Sequence, residues 1–168
     1  MKRIVLLILC GLFLLTSCGV SSAVRKVEKY IDIELSTAEV LSEYETHGGF
    51  HGDGTTFITL RCDKEAAAEI EESESFHKLP LSADVGIMLY GSDYVLYSKV
   101  SRSPLSDGEL NPLFPEIENG YYFFLDRHPD ASGESFDATE LLDRYSYNFI
   151  VAIYDSDSDI LYFCKFDT

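Results

Sequence analysis

The chain has 168 residues, 46% of them apolar and 13% aromatic, with 29 acidic residues against 13 basic for a formal net charge of −16. That apolar content excludes an intrinsically disordered chain, and the acidic excess excludes nucleic acid as a partner, because phosphates would be repelled. The length suits one domain with a single substantial core.

Met1-Lys2-Arg3 precedes 12 mainly apolar residues, Ile4 to Leu15, and then Thr16-Ser17-Cys18-Gly19. A basic start, an apolar run too short to span a bilayer and small residues behind it are the three regions of a secretory signal. Leu15-Thr16-Ser17 followed directly by Cys18 resembles the lipobox of bacterial lipoproteins. The resemblance implies cleavage before Cys18, a diacylglyceryl thioether on its sulfur and acylation of the freed amine. Two or more acyl chains give stable anchoring, at about 0.8 kcal/mol for each buried methylene. The alternative is a secreted protein with an incidental cysteine at the cut. The expected organisation is a cleaved signal peptide over 1–17, a lipidated tether over 18–23 and a single α+β domain over 24–168. The expected location is the extracytoplasmic face of the cell membrane.

Removing residues 1–17 takes away two basic residues and no acidic one, leaving 11 against 29 and a balance of −18. Such a surface keeps the domain soluble and repels anionic head groups, so the anchor rather than the body holds it to the leaflet. Cys10 leaves with the signal and Cys18 carries lipid. Cys62 and Cys164 then either join as one disulfide or remain two buried thiols.

The first predicted element is a helix with Val24, Val27 and Ile31 on one face. Residues 19–23 reach at most about 17 Å, which keeps the domain close to the membrane. Arg25, Lys26 and Lys29 form a basic cluster beside the anchor, either facing lipid or making an ordinary solvated helix face. Residues 38–46 alternate as a half-buried strand, with Val40 and Tyr44 opposite Glu39, Glu43 and Glu45. Residues 55–62 alternate again through Ile58 and Leu60, and the two runs suit an antiparallel hairpin. Asp63 is placed to cap an Ala-rich helix running to about Glu72.

Ser82 to Tyr90 reads as a helix with Val85, Met88 and Leu89 inward and Gly91 as its stop, or else as a strand pairing with Tyr94 to Val100. Residues 101–118, with Pro104, Pro112, Pro115 and Gly108, read as an irregular surface excursion. Tyr121 to Arg127 is β-prone, and a loop follows to Ser135. Asp137 and Glu140 have capping-box spacing, with Phe136 and Leu141 as a hydrophobic staple, ahead of a short helix from Ala138 to Arg144. The chain closes in a hairpin, Tyr147 to Tyr154 and Ile160 to Phe166, turning at Asp155 to Asp159. The fold class expected is α+β, an antiparallel sheet of about five strands with short packed helices.

Three constellations could carry chemistry. In His47-Gly48-Gly49-Phe50-His51-Gly52-Asp53-Gly54, two imidazoles and a carboxylate within seven residues could converge on a metal, and four glycines would let the backbone bend until they did. The spacing matches no zinc-hydrolase motif, so a structural or recognition loop stands beside metal binding and catalysis. Asp126-Arg127-His128 closes a predicted strand; its acid and imidazole are badly placed for a dyad, and a salt-bridged strand end is the simpler reading. His128 would matter if it lay near His47 and His51. Asp155-Ser156-Asp157-Ser158-Asp159 begins like a calcium loop, but Ile160 and Phe166 stand where glycine and the bidentate acid belong, which favours a hairpin turn.

The strand tyrosines, among them Tyr94 and Tyr97, could stack on cell-wall sugars but suit core positions better. No catalytic serine elbow, phosphate loop, paired-cysteine motif or dinucleotide fingerprint occurs. Thr46 to Gly54 and Gly-Tyr-Tyr-Phe-Phe-x-Asp-Arg-His from Gly120 to His128 resemble stretches shared by small Gram-positive bacterial proteins. That resemblance covers most of the mature domain and implies a common fold but no activity.

The expected function is therefore a lipid-anchored binding or interaction module for a protein or cell-envelope ligand, with no catalytic residue assigned and no cofactor required. Its candidate ligand residues are His47, His51, Asp53 and His128. The alternative is a hydrolase using a metal held by His47, His51 and Asp53, with or without His128. A third reading has the acidic face masking another surface protein.

Overall fold

The computed structural model describes residues 20–48, 52–91, 103–128, 144 and 146–168. Cys18, His51, the alternative partner strand Tyr94 to Val100 and the predicted helix Ala138 to Arg144, apart from Arg144 itself, lie outside them.

Helix α1 spans Ser22–Ile31, opened by the Ser21 hydroxyl accepting from the Ala23 N–H at 3.2 Å and closed at Asp32, whose φ of 51° breaks the helical path. Its buried side chains, Ala23, Val24, Val27 and Ile31, follow the helical repeat. Strands β1 (Glu39–Glu45) and β2 (Gly54–Arg61) form the expected hairpin. Asp63 caps α2 (Lys64–Glu72) through the Ala66 N–H at 2.9 Å. After the two-residue strand β3 (His77–Lys78), the ambiguous run resolves as helix α3 (Ala83–Tyr90), stopped at Gly91. Strands β4 (Gly120–Asp126), β5 (Asn148–Asp155) and β6 (Ile160–Asp167) complete the elements.

The strands make one antiparallel sheet in the order β1-β2-β6-β5-β4-β3, an α+β fold with six strands. The additional strand is β3, too short to leave a periodic trace.

Both faces of the sheet are covered. On one, Ile58, Leu60, Phe123, Ile150, Ala152, Tyr154, Leu161 and Phe163 pack beneath α1 and α2. On the other, Tyr122, Phe124, Phe149, Val151, Ile153 and Cys164 pack against α3, Leu105 and Phe114. Because successive side chains alternate faces, this double cover explains why β5 is apolar from Phe149 to Tyr154 without a break. Burying each such large apolar side chain contributes about 1.5–3 kcal/mol.

One expectation changes and one open alternative resolves. Strand β1 is exposed along nearly its whole length rather than half-buried, with Tyr44 at 55%, because a bulge between Val40 and Ser42 shifts its register at the sheet edge. Cys62 and Cys164 are both free and buried, and they belong to cores on opposite faces of the sheet. The bridge left open by the sequence is not formed. Burial, helped by Asp63 and Asp159, pushes the Cys62 thiol up to about 12, and burial raises Cys164 as well, so neither is a ready nucleophile.

Candidate functional site: an imidazole strut and an acid-mouthed groove

The glycine-histidine loop joins β1 to β2. Thr46 holds its base closed, donating its N–H to the Thr55 carbonyl at 2.9 Å and accepting the Thr55 N–H on its hydroxyl at 2.8 Å. Gly54 adopts φ +152°, and a Cβ there would stand 2.6 Å from the His47 backbone. Only glycine lets the returning strand pass so close, and that approach seats His47 over the end of the sheet.

Strand periodicity supplies the surroundings. Thr56 lies two residues before Ile58, Lys165 two after Phe163 and Arg127 two after Leu125, so all three extend the apolar face under α1. Glu45 pairs with Thr56, and Thr56 with Lys165, in one row across the sheet. His47 Nδ1 faces Glu45 Oε1 at 2.5 Å and the Thr56 hydroxyl at 3.1 Å. Its Nε2 faces Asp167 Oδ2 at 3.1 Å and Lys165 Nζ at 3.4 Å. Asp167 also pairs with Lys165 and with Arg127, whose guanidinium stands 5.8 Å from the Tyr30 ring of α1. Glu45 accepts from Lys26 of α1 at 2.9 Å and from the Thr56 hydroxyl at 2.9 Å.

Burial alone would push Glu45 up, but hydrogen bonds from Lys26, Thr56 and His47 outweigh it and hold the carboxyl at about 2. Asp167 behaves alike: burial opposes its charge, while Lys165, Arg127 and His47 keep it below the ordinary carboxylate range.

This arrangement braces the sheet end. Thr56, His47 and Asp167 do form a hydroxyl–imidazole–carboxylate line, but Thr56 is 4% exposed and its hydroxyl is shared with Glu45. An atom so covered has no approach for a substrate. Both His47 nitrogens are engaged, so neither lone pair is directed at a coordination position. Asp53 is exposed. His128 gives its backbone N–H to Asp126 at 3.0 Å, and the second Asp126 oxygen takes Arg144 at 2.5 Å. The salt-bridged strand end is thus real, but Arg127 reaches across β5 to Asp167 rather than to its own neighbour. Among the described residues no group of three or more His, Cys, Asp and Glu side chains is disposed to hold a metal.

The basic cluster of α1 is likewise engaged within the protein. Arg25 binds the Val20 carbonyl at 2.8 Å, Lys26 bridges Glu43 at 2.8 Å and Glu45, and Lys29 lies 5.2 Å from the Tyr30 ring centre.

A second candidate site, a concavity, lies at the other end of the strands and on the other face. A groove of about 780 Å³ opens between the Leu79-Pro80-Leu81 segment, the end of α3 and residues 112–118, with Ile153 of β5 at its floor. Hydrogen bonds fix each wall. The Leu79 N–H donates to the Gly120 carbonyl at 2.9 Å, and the Tyr90 hydroxyl to the Pro115 carbonyl at 2.8 Å. Gly120 has φ +155°, and a Cβ there would stand 1.9 Å from the Tyr154 carbonyl, so this close entry into β4 also demands glycine.

The aspartate-rich turn closes the same end. Asp155 accepts from the Asp157 N–H at 3.0 Å and Ser158 at 2.6 Å, Asp159 from the Tyr154 hydroxyl at 2.8 Å, and Asp157 from the Asn119 side chain at 2.9 Å. These carboxylates tie the turn and the adjoining groove wall together.

Residues 103–118 are irregular and largely exposed, as expected, but Leu105 and Phe114 pin the segment to the core. The Ser103 hydroxyl donates to the Met88 carbonyl at 2.8 Å, and Phe114, 2% exposed, meets Phe57 edge-on at 5.1 Å between ring centres. The sequence concealed this wall because its apolar residues are isolated among prolines and acids.

Comparison with known proteins yields no matching family model, no matching curated protein and no matching solved structure.

Proposed function

We propose that the chain is an extracytoplasmic lipoprotein, tethered through Cys18, whose domain binds a ligand in the groove beside α3. The observation that carries this reading is the groove itself: about 780 Å³, walled by Leu79, Leu81 and Ile117, floored by Ile153 and edged by two carboxylates. That volume and lining suit a small ligand with a sizeable apolar part. The signal-like start of the chain and the opening of α1 at Ser22, four residues beyond Cys18, favour a domain held close to a membrane. No helix among the described residues is long and apolar enough to cross one. His47, Glu45, Asp167 and their partners act as a brace in this account.

Two measurements test it. Cys18→Ala is expected to release the protein from membranes and to abolish labelling by a fatty-acid probe; continued labelling would sink the anchor. The mature chain carrying Cys18→Ala should bind the neutral dye Nile red saturably, and Ile117→Arg should weaken that binding at least tenfold with an unchanged circular dichroism spectrum. Equal binding by the two proteins, or none by either, contradicts a ligand site in the groove.

A further inference from the structure

We infer that the ligand of this groove is an amphipathic organic cation, a single apolar chain or ring system bearing an ammonium group. This deepens the preceding reading and rests on it. Among the described residues the charged side chains lining the groove are both acidic, Glu116 and Glu118, two positions apart on one wall. Both are exposed, and neither makes a hydrogen bond or ion pair with another described residue. They differ in this from Glu45, Asp63, Asp126 and Asp167, whose oxygens are taken by helix ends or by cations.

An apolar floor with two uncompensated carboxylates at its edge is complementary to a ligand that is apolar at one end and positive at the other. An anionic amphiphile of the same shape would meet repulsion both at the edge and from the acidic body. Chain packing against Leu79, Leu81 and Ile117 supplies affinity, and the carboxylates select the head group.

The test uses the mature chain with Cys18→Ala and three probes of equal chain length, each below its micellar concentration: decyltrimethylammonium, decyl maltoside and decanoate. Calorimetry should rank the ammonium first and decanoate last. Replacing both acids, Glu116→Gln with Glu118→Gln, should weaken the ammonium about 3- to 10-fold, the span expected of two exposed ion pairs, and leave decyl maltoside unchanged. The control pair Glu72→Gln with Glu74→Gln, exposed but away from the groove, should leave all three unchanged.

Equal binding of ammonium and maltoside, or an ammonium preference that survives in the Glu116/Glu118 variant, overturns the head-group assignment while the groove stands as a binding site. Binding of none of the probes overturns the groove reading and this inference together.

Discussion

At the scale of single residues, His47 shows how much a sequence can signal without revealing the role. The glycine-rich loop marks its importance, and Gly54 carries out part of what was expected, bringing the chain tightly round. What completes the site is Asp167, 120 positions away, and no spacing rule connects the two. His47 acts in a brace, while His51, the second imidazole of the alternative metal site, lies outside the described residues. The brace also sets a pH dependence. The Glu45 carboxyl falls from an ordinary 4.5 to about 2 in the folded protein. A depressed folded value contributes stability that is complete above about 4.5 and is lost as pH falls toward 2. The thermal midpoint of the wild type should therefore drop across that window, and Glu45→Gln should lower the midpoint at pH 7 while flattening the acid limb. Parallel acid limbs in the two proteins would show that Glu45 does not carry the effect. Because 37% of the Glu45 side chain is exposed, solvent screening keeps its share of the stability small.

Among the elements, those with strong local signals were legible. Helix α1 followed from its apolar repeat, α2 from its Asp63 cap, and the β5–β6 hairpin from two β-prone runs around an aspartate turn. Elements decided by tertiary context were not. Strand β3 exists because Leu79 is held by Gly120, and β1 is exposed because a bulge and its edge position override the alternation. The segment 103–118 is the most instructive case. Its prolines and glycine read as an excursion, yet Phe114 inserts into the core under α3. Phe114→Ala should cost about 3 kcal/mol in urea unfolding, whereas Leu110→Ala, at a 59% exposed position of the same segment, should change stability by less than about 0.5 kcal/mol. Equal small effects would mean that this segment is not part of the packed structure, and the groove would lose a wall.

For the molecule as a whole, residues 18–168 carry a balance of −18, and of the basic cluster on α1 Lys26 is paired with Glu43 and Glu45 while Arg25 and Lys29 stay exposed, two cations beside the proposed tether. In the proposed anchored form, two cations on so acidic a domain add little attraction to anionic lipid, and the acyl chains would supply the holding force. The fold class was readable because patterning and length constrain it. The groove was not, since it is assembled from isolated residues of four separate segments that meet only when the sheet forms. The two candidate sites also stand apart: the His47 brace lies where β4, β5 and β6 meet Asp126, Asn148 and Asp167, and the groove lies toward Gly120 and Asp155 on the opposite face. That separation makes the central claim open to one direct measurement. Titration of the isotopically labelled mature chain carrying Cys18→Ala with decyl maltoside, followed by amide chemical shifts, should move Leu79, Leu81, Ile117 and Ile153 saturably and leave Thr46, His47 and Asp167 in place. Shifts gathered around His47 and Asp167, with the groove residues silent, would contradict the account.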